Sequence, residues 1–473
     1  MITFLPFLQS GVLKAENTVV YGKAAGYGSK EITFYTISDP ILHHKRELGS
    51  TTIAPDGTFN LLIRINQSIE IYSDLEKYCG TMVVEPGKNY RIELPPYSPK
   101  NSAEAHSIYF KPTPYWFGLP ETDNNDLNFA VRSFLSDFNL ETVKNTTQIY
   151  QQRSKETIKN IINGLENKYS AIKHPYFMKL RMYTYAGLEN MIYAPNSDSV
   201  IGKYFAHQPI ELFHPAYQQA FENVFTDFLR KQSLVIKNKK IVEFTDAGNY
   251  TALVGFFEHK GFSRELAELV VLKGLLDGYY TGSFSKDGVC RAIEMALTTT
   301  TSTLLQPIVP LIKRKLTYLA IGAKAPNFNL PNLKKERISL DQFNGKFVYL
   351  TFFRSKSADC RAELDSIISI EKRVHQVLTI VSVSLDDDFN NASELWKSKG
   401  YTWELLNGSK QKQIIADYNA TLTPAFYLIN PEGKLQLSQA PSPSHGFEPT
   451  FLRILRDYHL KNKPYLSKPG NFH

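Results

Sequence analysis

Short apolar runs separated by turn residues fill the first hundred positions. Runs at 19–21, 32–35 and 59–65 are rich in β-branched and aromatic residues, and Gly26-Tyr27-Gly28 and Pro55-Asp56-Gly57 punctuate them. The segment 82–87, ending in Pro86-Gly87, and the segment 90–94 predict strand, turn, strand. Several short strands at this spacing predict a β-sandwich-like domain over 1–100. Pro95, Pro96, Pro99, Pro112, Pro114 and Pro120 exclude regular structure over most of the next stretch. Residues 101–124 therefore read as an ordered connector that must bury Tyr115, Trp116 and Phe117. From 125 to 318 the apolar period becomes helical, which predicts an all-α region. Ser263 is a candidate N-cap for a helix over 264–280. That helix has apolar residues on more than one face, so it is expected to be central, and a more polar helix over 151–172 is expected to be peripheral. The polar β-branched run 298–303 weakens the helix that precedes it, and Pro307 and Pro310 interrupt the next. From 319 to 473, fully apolar strands at 347–353 and 378–385 alternate with helices at 359–377, 393–399 and 410–418. A strand pair at 425–430 and 434–437 follows, around Pro431-Glu432-Gly433. This alternation predicts an α/β domain with helices on both faces of its sheet.

Composition narrows the classes. Hydrophobic residues make up 42% of the 473 positions and charged residues 21%, enough for packed cores and against wholesale disorder. Three cysteines, Cys79, Cys290 and Cys360, exclude a disulfide scaffold. No run approaches the length of a membrane-spanning helix. The first fifteen residues read either as the remnant of an export signal or as the first strand. The net charge of +8 allows loose attraction to polyanions. The basic runs at 237–240 and 313–315 have no interleaved aromatics, however, so nucleic acid is not expected as a partner. His43-His44 lacks a ligand partner at metal spacing, and no phosphate loop occurs. Asp386-Asp387-Asp388 after an apolar strand reads as an acidic helix start rather than a metal site. Neither a metal nor a cofactor is expected.

Four motifs in order carry a resemblance. Residues 321–330, 338–346, 352–363 and 423–433 resemble, in turn, the entry segment, the turn before the first central strand, the active-site stretch and the cis-proline strand of the thioredoxin-like TlpA/ResA family. The whole chain is also similar to multidomain envelope proteins of Bacteroidota with an N-terminal β domain. The resemblance implies a thioredoxin-like fold for 319–473, a location in the cell envelope (periplasmic or outer-membrane-associated), and a cis peptide at Pro424. It also implies a substrate groove bordered by Thr423 and Pro424.

The chemistry of that family needs two cysteines two residues apart at a helix N-terminus, where the helix dipole favours the thiolate. The first attacks a disulfide and the second resolves the mixed disulfide. Here the motif reads Ser357-Ala358-Asp359-Cys360. A serine hydroxyl performs no disulfide exchange, Asp359 disfavours a thiolate at Cys360, and Lys356 replaces the flanking tryptophan. Cys360 is either a single working thiol or a partly buried structural cysteine. Ser357-x-x-Cys360 also echoes the peroxiredoxins, but Phe353 stands where they place a proline. Glu363 matches an acid that assists proton transfer in ResA-like proteins, and it is equally well explained as a helix-first-turn glutamate. The expected function is a binding or scaffold subunit of an envelope complex, with a protein or peptide partner and a degenerate active site. The alternatives are a monothiol redox enzyme acting through Cys360, and a glycan- or peptide-capturing role centred on the β domain.

Overall fold

The computed structural model describes residues 15–461 apart from 102–103, 105–109, 122–125, 194–196, 236–238 and 410. The ambiguous start therefore lies almost wholly outside the described residues. The chain forms two compact units that part at 316/317.

In the first unit, strands β1 (Glu16–Lys23), β4 (Thr58–Ile65) and β7 (Asn89–Ile92) make one sheet in the order β4-β1-β7. A second sheet has the order β3-β2-β5-β6-β8, from β2 (Glu31–Ile37), β3 (Lys45–Thr52), β5 (Ile69–Leu75), β6 (Tyr78–Val84) and β8 (Thr113–Trp116). β4 alternates exposed and buried residues along its whole length, as a half-buried strand should. Its inward residues Phe59, Leu61, Ile63 and Ile65 share a core with Ile71 and Met82 of the other sheet, which gives the β-sandwich-like arrangement. The expected strand–turn–strand at Pro86-Gly87 holds, but its two strands do not pair with each other. β6 lies in the larger sheet, whereas β7 runs parallel to β1 in the smaller one. Gly87, at φ +77°, supplies the corner between the sheets.

The proline-rich stretch is more regular than its prolines suggest. Thr113–Trp116 runs parallel to β6 as an edge strand, the position in a sheet where Pro114 is tolerated. Phe117 is buried against Gly80, where a Cβ would stand 2.2 Å from the Phe117 ring. Beyond β8, Asn128 takes over the open edge of β6. Its amide accepts from Val83 N–H at 2.7 Å and donates to Val83 C=O at 2.9 Å.

The middle region is all-α. Its helices are α1 (Leu127–Lys144), α2 (Lys155–Tyr169), α3 (Pro175–Tyr193), α4 (Asp198–Tyr204), α5 (Pro215–Phe225), α6 (Phe228–Val235), α7 (Lys239–Ala247), α8 (Tyr250–Glu258), α9 (Arg264–Thr281), α10 (Lys286–Thr299) and α11 (Ile308–Thr317). The Ser263 hydroxyl caps α9 by accepting from Leu266 N–H. Residues on every face of α9 are buried, including Glu268 and Lys273, which are satisfied by Arg264 and Asp277 respectively. α10 ends at Thr299, two residues into the polar β-branched run expected to weaken it. Pro310 falls in the first turn of α11, where a missing N–H costs nothing.

The second unit is an α/β thioredoxin-like fold. Its central sheet has the order β13-β12-β11-β14-β15, from β11 (Phe347–Phe353), β12 (Leu378–Ser384), β13 (Glu404–Asn407), β14 (Ala425–Ile429) and β15 (Leu435–Ser438). β12 is parallel to both β11 and β13, and β14 is antiparallel to β11 and to β15. Every residue of β11 is buried. Phe347, Tyr349 and Phe353 face one core and Val348, Leu350 and Phe352 the other, the pattern of a strand covered on both faces. A small hairpin of β9 (Asn329–Pro331) and β10 (Arg337–Ser339) precedes the sheet. The helices are α12 (Ala358–Val374), α13 (Phe389–Lys399), α14 (Lys412–Asp417) and α15 (Phe447–Lys461).

Candidate functional site

β11 delivers the chain from the middle of the sheet into the loop 354–357, and α12 begins immediately after it. Two contacts set the loop. Ser355 N–H donates to the buried Asp386 carboxylate at 3.0 Å, and Arg361 reaches back to Ser355 C=O at 2.8 Å. Asp386 is itself held by Ser384 Oγ at 3.0 Å. The acidic triplet therefore divides its work. Asp386 ties down the loop, Asp388 caps α13 by accepting from Asn390 N–H, and Asp387 is exposed. No cluster of metal-ligating side chains occurs among the described residues.

Ser357 is the N-cap of α12. Its side chain accepts from Cys360 N–H at 3.3 Å, which satisfies one of the orphan donors of the first turn. Ala358 and Asp359 are exposed, and Asp359 stands where the helix dipole favours an acid. Cys360 is 0% exposed. Together with Leu364, Ile367, Ile370 and Val374 it forms the buried stripe of α12, at helical spacing, and it shares a core with Tyr349, Phe353 and Phe426.

Glu363 lies on another face of the same helix. Its carboxylate accepts from Ser444 N–H at 3.0 Å, from Ser442 Oγ at 3.1 Å and from Ser444 Oγ. Burial pushes its pKa up, but these hydrogen bonds and the nearby His445 outweigh burial and hold it below the usual carboxylate range. A proton-transfer acid needs the opposite perturbation. The serines that fix Glu363 sit on a 3-10 turn, Pro443–His445, that no sequence motif singled out.

The Thr423-Pro424 peptide is cis. Pairing of Ala425 with Phe352 sets Thr423 and Pro424 beside the end of β11 that leads into the Ser357 loop. Both residues are partly exposed, and the adjoining Leu422 is 54% exposed. Fold topology thus brings Ser357, Ala358, Asp359, Thr423 and Pro424 to one end of the sheet, while Cys360 points into the core. Cys79 and Cys290 belong to the first unit. Burial pushes both thiols above their ordinary range, so neither has the low pKa of a reactive thiolate.

A thioredoxin-like sheet with a cis-proline strand beside a capped helix start defines the class of the second unit. Comparison with known proteins agrees. Residues 321–438 match the model of the AhpC/TSA family. The chain is 30% identical over 115 residues to thiol-disulfide oxidoreductase ResA of Bacillus subtilis strain 168, a match covering 24% of this chain and 64% of that protein. It is 28% identical over 117 residues to thioredoxin-like protein YneN of the same organism, covering 24% of this chain and 68% of that one. The chain thus spans just under two thirds of the length of the ResA it matches. Among solved structures, the thioredoxin domain of a thiol-disulfide oxidoreductase from Bacteroides vulgatus is similar at 23% identity. That match covers 28% of this chain and 97% of the domain, with a TM-score of 0.27. The second unit is related to the thioredoxin-like, ResA-type proteins, and its cysteine arrangement departs from their paired one.

Proposed function

We propose that this is a cell-envelope protein, periplasmic or outer-membrane-associated, whose thioredoxin-like unit binds a protein or peptide partner and performs no dithiol chemistry. The observation that carries the reading is the division of labour at the start of α12. Ser357 occupies the nucleophile position and spends its hydroxyl on capping the helix, while Cys360 is fully buried as the first residue of an apolar stripe. The exposed surface at that end of the sheet comprises Leu422, Thr423, Pro424, Ala358 and Asp359. On this reading it receives an extended segment of the partner as a substrate groove would, without covalent attachment. The whole protein's partner and its place in an envelope complex belong to this proposal.

A second reading has one specific support. The AhpC/TSA match favours a monothiol redox enzyme acting through Cys360. Against it stand the burial of Cys360 and the commitment of Arg354 and Arg361 to the backbone carbonyls of Leu385 and Ser355. A photoreactive residue placed at Leu422 separates the two readings when the native protein is isolated from envelope fractions. A defined crosslinked polypeptide, lost on Pro424→Ala and retained on Cys360→Ala, supports binding without a thiol. Adducts that require Cys360 and disappear under reductant would sink it.

A further inference from the structure

Helices α1, α3 and α5 of the first unit line a half-open cavity of about 360 Å³ whose wall is completed by β5. Its lining is apolar, with Val131, Leu135, Leu180, Leu188 and Met191 among the contributors, and one carboxylic acid, Glu70, takes part. The volume lies at the small end of the roughly 300–1,000 Å³ range of small-molecule sites, and a largely apolar wall with one ionisable group is their usual composition. Ile69 and Ile71 face the sandwich core, and strand alternation turns the intervening Glu70 toward the helices, into the same wall as Leu180 and Val131.

The donors around Glu70 are all neutral hydroxyls. Thr81 Oγ1 donates at 2.6 Å, and Tyr72 and Tyr176 are the other hydrogen-bonding neighbours. No lysine, arginine or histidine pairs with it among the described residues. Burial pushes its carboxyl above the usual range, and the three hydroxyls only partly offset that. A carboxylate has capacity for about four hydrogen bonds, so acceptor capacity remains for a further donor from the cavity side. In an apolar enclosure the partner that lowers the energy of a carboxylate most is a cation that brings its own apolar body.

We propose that this cavity is a binding site for a small apolar primary amine, whose ammonium group meets Glu70 and whose hydrocarbon fills the space between α1, α3 and α5. The rim residues Gln219 and Asn223 are exposed, so the cavity communicates with solvent on that side. Gly187 offers a means of closing it. A Cβ added there meets only Asn223 Nδ2 at 3.7 Å, an ordinary contact, so a larger side chain is accommodated by occupying the cavity.

Calorimetric titration of the full chain with 2-phenylethylamine, and separately with 2-phenylethanol, tests the site. The two probes share shape and differ in charge. The expected result is saturable binding of the amine, tighter than the alcohol by at least about tenfold. Glu70→Gln should erase that preference, and Gly187→Leu should weaken binding of both probes by at least about tenfold. Equal affinities in the unaltered protein would overturn the assignment of an amine. Failure of both probes to bind at about 10 mM, or amine binding indifferent to Gly187→Leu, would overturn the site itself. If Glu70→Gln does not fold, the amine-to-alcohol ratio in the unaltered protein and in Gly187→Leu still decides.

Discussion

At position 357 a single oxygen does what two functions would compete for. As an N-cap, Ser357 gives an acceptor to Cys360 N–H, and a cap of this kind is worth about 0.5–2 kcal/mol. Ser357→Ala should therefore lower the stability of the second unit by about 1 kcal/mol in denaturant melts, with no effect on thiol chemistry. Ser357→Cys asks a different question. Residues 357 and 360 flank the first turn of α12, where their Cα atoms should fall inside the roughly 4.4–6.8 Å that a disulfide spans. Under a strong oxidant such as diamide the variant should close a 357–360 disulfide, read as loss of two free thiols by mass spectrometry. A folded variant that keeps both thiols would show that Ser357 does not stand where the first cysteine of ResA-type proteins stands. The sequence motif made this position legible. It did not make the burial of Cys360 legible by itself, although the spacing 360, 364, 367, 370, 374 carries that information once the helix is known. A short motif draws attention to chemistry, whereas burial is decided by the face of the helix.

Elements hold the site in place through contacts that single-sequence reading passes over. Glu363 docks the start of α12 on the Pro443–His445 turn as an ionised acceptor. Its folded pKa is lowered, so its contribution is present above the unfolded value near 4.5 and is lost as pH falls through the folded value. Glu363→Gln should accordingly reduce stability at pH 7 and bring the variant closer to the unaltered protein at acid pH, in melts compared across that range. A second carboxylate shows the effect more strongly. Burial opposes the charge on Glu85, but hydrogen bonds from His174 and Lys88, with their charges, hold its pKa down to about 2. Against an ordinary value of 4.5 this amounts to roughly 3 kcal/mol, available above about pH 4.5 and lost progressively toward pH 2. Glu85→Gln should flatten the acid limb of the stability profile, and an unchanged limb would mean that other carboxylates govern it. Glu85 also marks where element prediction fell short. It precedes Pro86-Gly87, a signal that correctly announced a turn between strands. Whether a turn closes a hairpin or carries the chain to another sheet depends on partners far along the chain, here Val19 to Gly22. The strand at Thr113–Trp116 was hidden for the same reason, since Pro114 forbids a central strand but not an edge beside β6.

For the whole molecule, the order β-rich, all-α, α/β was readable because the period of apolar residues changes twice, near 125 and near 319. How the β-rich and helical segments interlock was not, because polar side chains make the join. Asn128 completes the edge of β6, and Gln218 donates to Ile37 C=O at 3.0 Å. The candidate groove was legible from Ser357 and Pro424, while the carboxylate at Glu70 lies in β5, a strand that none of the runs read from the sequence covers. The thioredoxin-like unit of this chain should have no thiol-disulfide turnover. The most direct measurement is insulin disulfide reduction, followed by turbidity with dithiothreitol as the reductant, for the unaltered protein and for Cys360→Ala. Both rates should equal that of dithiothreitol alone. Turnover well above that level, abolished by Cys360→Ala in a folded protein, would contradict it.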